Sequence, residues 1–178
     1  MMRSIPGINT ARLTLRGMRP EDFDRFAEIW TLPETTRFTG GPRSRARSWD
    51  AFTKNAGHWA MAGFGQWAVV DRQSRRMIGQ TGFFHGGRDL GEDFDACPEA
   101  GWVLAPEAQG QGLGLEAVRA AHDWFDRVMP GPLCAMVNTD NVASRHVAAR
   151  LGYRGMRETD HNGDSVLLLR RDGPPGWI

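Results

Sequence analysis

Cysteine is nearly absent from the sequence. Cys97 and Cys134 are the only two in 178 residues, they form no C-x-x-C pair, and two are too few for a disulfide framework. Both read as free thiols of a reducing compartment. Net charge is nearly absent as well: at +1, the chain has no bulk field to hold a nucleic-acid backbone or an anionic membrane. Long apolar runs are missing. Met1 to Arg16 contains no apolar stretch of signal-peptide length, and no later segment approaches the roughly 18 apolar residues of a membrane span. The five histidines make no H-E-x-x-H or other ligand spacing, so no metal is expected. These absences point to a cytoplasmic protein, monomer or homodimer, whose partners are small or local and include neither nucleic acid nor membrane.

What is present is ordinary globular material, 40% hydrophobic and 24% charged. The length suits one domain over 1–172, followed by an irregular tail at 173–178 in which Trp177 and Ile178 are placed to dock on the body or on a neighbour. Leu13 and Leu15 alternate with polar residues, which predicts a strand from Ala11 to Arg16. Pro20 opens a helix with Phe23, Phe26, Ala27 and Trp30 on one stripe. A second helix, Ser44 to Ala62, carries Trp49, Phe52, Ala56, Trp59 and Ala60 as its core stripe. Gln66 to Asp71 and Met77 to His85 read as a hairpin, and Gly86 to Asp95 as a glycine- and acid-rich loop. A strand ending at Leu104 and a helix from Leu115 follow; His122 falls on that helix's apolar stripe and reads as packed. Next come a strand at Leu133 to Val137 and a helix at Val142 to Leu151, capped by Asp140 or Asn141 and closed by Gly152. Two last strands turn at Asn162-Gly163.

The segment that carries chemistry runs from Trp102 to Gly114, W-V-L-A-P-E-A-Q-G-Q-G-L-G: a strand, a proline stop, a glycine turn and a helix start. Gly110, Gly112 and Gly114 can take backbone angles closed to other residues, so successive N–H groups can converge on a phosphate where the helix dipole also favours an anion. A Walker loop requires Gly-Lys followed by Ser or Thr, but Leu115 follows Gly114. A dinucleotide fingerprint requires Gly or Ala at that same place and an early βαβ unit. The pattern that remains is Gln or Arg, two residues, Gly, one residue, then Gly or Ala; Gln109, Gly112 and Gly114 fill it.

On these residues the sequence resembles the GCN5-related N-acetyltransferase (GNAT) family, and more narrowly its ribosomal-protein N-terminal acetyltransferase branch. The resemblance runs from Thr10-Ala-Arg-Leu-Thr-Leu-Arg16 with Pro20-Glu-Asp22, through Gly101 to Gly112, to Asn141-Val-Ala-Ser144 and Leu151-Gly-Tyr153. It implies an α/β fold: a mixed, largely antiparallel sheet of six or seven strands with about four helices, split by an acyl-CoA cleft. It also implies acetyl-CoA as cosubstrate, an amine acceptor, and direct transfer without an acyl-enzyme. The pantetheine arm would lie between the strand ending at Leu104 and that of Leu133 to Val137, pairing with Val103 and Leu104, and the N–H near Val103 would hold the oxyanion. Gln109, Gly110, Gln111, Gly112, Leu113 and Gly114 would bind the pyrophosphate, and Asn141 and Ser144 would face the cofactor.

Many family members place a tyrosine seven residues after the asparagine, where this chain has Ala148. Ser144 is therefore the candidate to hydrogen-bond or protonate the leaving sulfur, its alternative being a helix-surface serine bonded to its own backbone. Glu99, on the strand face of Gly101 and Val103, is the candidate base, directly or through water, its alternative being an exposed strand-end glutamate. His85 is the reserve. Asp89, Glu92, Asp93 and Asp95 would attract a cationic acceptor unless they form a solvated loop. A reading from another class is a non-catalytic acyl-CoA sensor or interaction module of the same fold.

Overall fold

The computed structural model describes residues 4–175. The alternating and continuous apolar runs fold into eight strands: β1 (Ile8–Asn9), β2 (Leu13–Arg16), β3 (Gln66–Asp71), β4 (Met77–Phe84), β5 (Glu99–Leu104), β6 (Leu133–Asn138), β7 (Arg154–His161) and β8 (Asp164–Arg171). They form one sheet in the order β1-β2-β3-β4-β5-β6-β8-β7, and only β5 and β6 are parallel. Six α-helices accompany it: α1 (Phe23–Thr31), α2 (Pro33–Thr36), α3 (Arg45–Ala62), α4 (Glu92–Asp95), α5 (Leu113–Val128) and α6 (Val142–Arg150). The expected α/β architecture holds, with corrected counts. The eighth strand is the two-residue β1, and α2 and α4 are four residues each, too short to display a period.

The sheet is covered on both faces. Leu13, Leu15, Trp67, Val69 and Phe83 turn to α5 and meet Val118 and Phe125, while Ala68, Val70 and Met77 turn to Phe26, Trp30 and Phe52 of α1 and α3. β3 is therefore buried on both sides, which is why Gln66 to Asp71 reads as an unbroken apolar run. Phe83 and Phe125 lie 4.5 Å apart and Trp67 and Trp124 5.1 Å, and pairs of this kind add about 0.5–1.5 kcal/mol each beyond area burial.

Ser44 caps α3 by accepting from Arg47 N–H, and Gly63 ends it at φ +77°. The α3 stripe is narrower than expected. Phe52 and Trp59 are buried, but Ala56 and Ala60 are exposed and Trp49 is 49% exposed, its ring lying edge-on to Phe23 at the helix surface. Trp49 stands about one turn from the N-terminus of α3, where its ring meets Phe23 of α1 and Phe52. His122 is packed as expected, with Nδ1 2.7 Å from Val118 O and Nε2 2.8 Å from Tyr153 Oη. Burial lowers its pKa to about 4. Cys97 and Cys134, distant in sequence, are neighbours in a small core with Phe94, Val166 and Leu168; both are free thiols, and burial pushes that of Cys134 up to about 12. No helix among the described residues is long and apolar enough to cross a membrane. The docking expected of Trp177 and Ile178 lies outside the described residues.

Candidate active site

β5 and β6 start together and separate. Their one registered pair is Glu99 with Cys134, joined by a bond from Cys134 N–H to Pro98 O at 2.9 Å, and beyond it each strand pairs only with its outer neighbour. A wedge-shaped gap results, closed at Glu99 and open at Leu104. On its β4 side, β5 keeps a regular antiparallel register, and Ala105 N–H donates to Ile78 O at 2.8 Å. Alternation from that bond turns the backbone groups of Val103 and Gly101 toward β4 and those of Trp102 and Leu104 into the gap. The expected pairing of Val103 with a cofactor arm is thus corrected: Trp102 and Leu104 turn their backbone groups to the gap, the Leu104 carbonyl already accepting from Gln109, and Val103 offers only its side chain, on the face of α1.

The open end leads to the glycine turn. Gly110 and Gly112 adopt φ of +73° and +75°, the left-handed region where a Cβ costs about 1–2 kcal/mol. The N–H groups of Gln111, Gly112, Leu113 and Gly114 have no acceptor among the described residues, and they crown the N-terminus of the 16-residue α5. Gly114 lets the helix pack on β5, since a Cβ there would sit 3.2 Å from Leu104 Cδ1. The side chains face elsewhere. Gln109 Nε2 donates to Leu104 O at 3.0 Å, Gln111 Nε2 to Glu107 O at 2.8 Å, and Leu113 is buried in the core. A cradle of free N–H groups with room above Gly110 fits a pyrophosphate through backbone alone.

α6 enters from the β6 side. Asn141 caps it, Oδ1 accepting from Ser144 N–H at 3.0 Å. Ser144 Oγ accepts from Trp102 Nε1 at 3.1 Å, so a residue of β5 and a residue of α6 meet across the open gap. The hydroxyl proton has no acceptor among the described residues, and the helix-surface alternative, a bond to its own backbone, is not what is found. Of the expected helix face, Arg145 is exposed and donates to Thr139 O at 3.1 Å, while Ala148 is buried.

Glu99 lies at the closed end on the other face of β5. It is 4% exposed, so it is not a free strand-end glutamate. Arg88 holds it bidentately, Nε to Oε2 at 2.6 Å and Nη2 to Oε1 at 2.7 Å. Gly86 passes over it so closely that a Cβ would sit 2.6 Å from Oε2. Burial pushes the Glu99 carboxyl above its ordinary range, and the Arg88 pair opposes that shift. His85 is not brought to this site; its ring packs with His58 and Phe64 at 5.7 and 5.3 Å. Of the acidic loop, Asp89 and Glu92 are exposed with no ion-pair partner among the described residues. Asp93 is paired with Arg157, and Asp95 accepts from the N–H groups of Arg88, Leu90 and Gly91.

Residues 12–154 match the family model described as an acetyltransferase (GNAT) domain. The chain belongs to the GNAT acetyltransferase family. It is an acyl-CoA-dependent acetyltransferase of that fold. A GnaT-family protein from Bordetella pertussis superposes with a TM-score of 0.85 at 29% identity, over 93% of this chain and 99% of the other. An acetyltransferase from Agrobacterium tumefaciens gives 0.81 at 28% identity, over 96% of each chain. The ribosomal L7/L12 alpha-N-protein acetyltransferase RimL, solved in complex with coenzyme A, shares the fold with a TM-score of 0.76 at 17% identity, over 94% of this chain and 98% of RimL.

Two residues of this GNAT site are absent from the sequence reading. Arg88 sits 11 positions before Glu99 in a loop, where no period signals a partner. Arg12 donates through Nη1 to Gln111 O at 2.9 Å and pairs with Glu116, so it braces the glycine turn from 99 residues away. Its only signal was its place in the opening family motif.

Proposed function

We propose that this GNAT protein moves the acetyl group of acetyl-CoA to a primary amine, of a protein N-terminus or a small molecule, by direct attack. The observation that carries this reading is the division of β5. Its free edge, Trp102 and Leu104, lines the gap; one of its faces meets the unshared hydroxyl proton of Ser144, and its other face holds the buried carboxylate of Glu99. A thioester threaded along that edge has a thiol side and an amine side separated by one strand. RimL, a relative in fold, has been solved with coenzyme A, which supports the cofactor assignment.

The thioester supplies the acyl group, and each residue then has a task. The N–H groups of Gln111 to Gly114 bind the pyrophosphate. Leu104 pairs with a pantetheine amide as an added strand pairs with a sheet edge, and the Trp102 N–H, deeper in the gap, faces the developing oxyanion. Glu99 accepts the proton of the attacking amine through a water, because Arg88 occupies both its oxygens. Ser144 donates a hydrogen bond to the leaving thiolate, which takes its proton from solvent once the C–S bond is broken.

The bidentate hold of Arg88 on Glu99 is also the one observation that favours an acyl-CoA-binding module without turnover. Thiol release from acetyl-CoA, measured against a panel of amines and peptide N-termini, separates the two. Turnover that Glu99→Gln reduces while acetyl-CoA still binds supports the acetyltransferase. Binding without release across the panel supports the sensor.

A further inference from the structure

The amine side of β5 carries a cation that the chemistry above does not use. Arg43 lies in the connection between α2 and α3. Its backbone N–H donates to Trp30 O at 2.9 Å, and its guanidinium covers the Trp30 ring with Cζ 3.5 Å from the centroid. Trp30 is itself fixed, 4% exposed, with Nε1 donating to Gln80 Oε1 at 3.2 Å. Trp30 is bonded to Gln80 of β4, which lies opposite Val103 of β5, so Arg43 stands one ring away from the strand pair that borders the gap.

No carboxylate pairs with Arg43 among the described residues. Glu99, Asp24 and Asp93 each pair with another arginine, Arg88, Arg45 and Arg157 in turn. Arg43 is partly buried, and its charged neighbours are Arg47 and Arg88. Burial first, and then these two cations, lower its pKa to about 10, which leaves it charged at neutral pH. A guanidinium stacked on a ring keeps its in-plane N–H donors, and those donors, partly desolvated and beside other cations, favour an anion.

We propose that the amine acceptor carries a carboxylate and that Arg43 binds it, which makes Arg43 a specificity-determining residue of the acceptor site. This deepens the acetyltransferase reading and rests on it. A single unshared guanidinium matches a single planar carboxylate bidentately. Of the acidic loop, Asp93 is paired with Arg157 and Asp95 accepts from backbone N–H groups, and no carboxylate of the loop pairs with Arg43 among the described residues. The carboxylate belongs either to a free amino acid or to an acidic side chain near a peptide N-terminus.

The test uses matched acceptors: a free amino acid against its amide, and a peptide with Glu or Asp at its second position against one with Gln or Asn. In the full-length protein, the carboxylate member of at least one pair is expected to show a kcat/KM about tenfold or more above its amide. Arg43→Gln is expected to erase that difference with the KM for acetyl-CoA and the circular dichroism spectrum unchanged, and Arg43→Lys to keep part of it. A preference confined to the first pair assigns an α-carboxylate, and one confined to the second assigns a side chain; both support the proposal. Equal use of both members, or a preference that survives Arg43→Gln, overturns it while the acetyltransferase stands. No thiol release with any acceptor overturns both.

Discussion

Trp102 on β5 donates its indole N–H to Ser144 Oγ on α6 at 3.1 Å, bridging two elements that the sheet itself leaves apart. The bond orients the hydroxyl so that its own proton is free to hydrogen-bond the leaving sulfur. Ser144→Ala is expected to lower kcat by about 10²–10⁴ with little change in the KM for acetyl-CoA, as befits a group that acts on the leaving sulfur. Steady-state kinetics with a saturating amine checks this. An unchanged kcat removes Ser144 from the chemistry.

Glu99 and Arg88 make a pH prediction with a definite sign. If Glu99 accepts the amine proton, Glu99→Gln loses the acid limb of kcat/KM together with most of the activity. Arg88→Gln moves that limb to higher pH, because burial already raises the carboxyl and Arg88 is the main influence that lowers it. Breaking a buried pair costs about 3–5 kcal/mol, so both variants need a folding check alongside the pH profile.

The glycine turn is expected to respond to backbone and not to side chain. Gly112→Ala places a Cβ at φ +75°, and acetyl-CoA should bind about tenfold or more weakly. Gln111→Ala keeps its free N–H and should bind nearly as the parent does. Isothermal titration of the two variants reads the contrast.

His122 sets an acid limit on stability. Its folded pKa is about 4 against an ordinary 6.5, so the unfolded chain takes up the proton first as pH falls. The stability it contributes is complete above about pH 6.5 and is lost as pH falls toward about 4, on the order of 3 kcal/mol across that window. Urea unfolding at about pH 7 and about pH 4.5 should show this loss in the parent and a flatter dependence in His122→Gln.

How legible this site was follows from the separation of its parts. The glycine turn and the caps of α3 and α6 are local, written within a few residues, and Asn141 and Ser44 cap where short-range chemistry places them. β3, β4 and β5 follow from their apolar runs. Arg88 with Glu99, Arg12 with Gln111 and Arg43 with Trp30 are contacts across 11, 99 and 13 positions, and no period encodes them. Trp49 was misplaced because helical spacing alone does not show where the covering layer ends. Val103 was misassigned because strand parity is fixed by a bond to β4, not by the strand's own sequence.

The most direct measurement is a crystal structure with coenzyme A. The proposed function requires pantetheine between β5 and β6, an amide on Leu104, phosphates over Gly110 to Gly114, and the sulfur within hydrogen-bond reach of Ser144 Oγ. A sulfur remote from Ser144, or coenzyme A bound outside the gap, would contradict it.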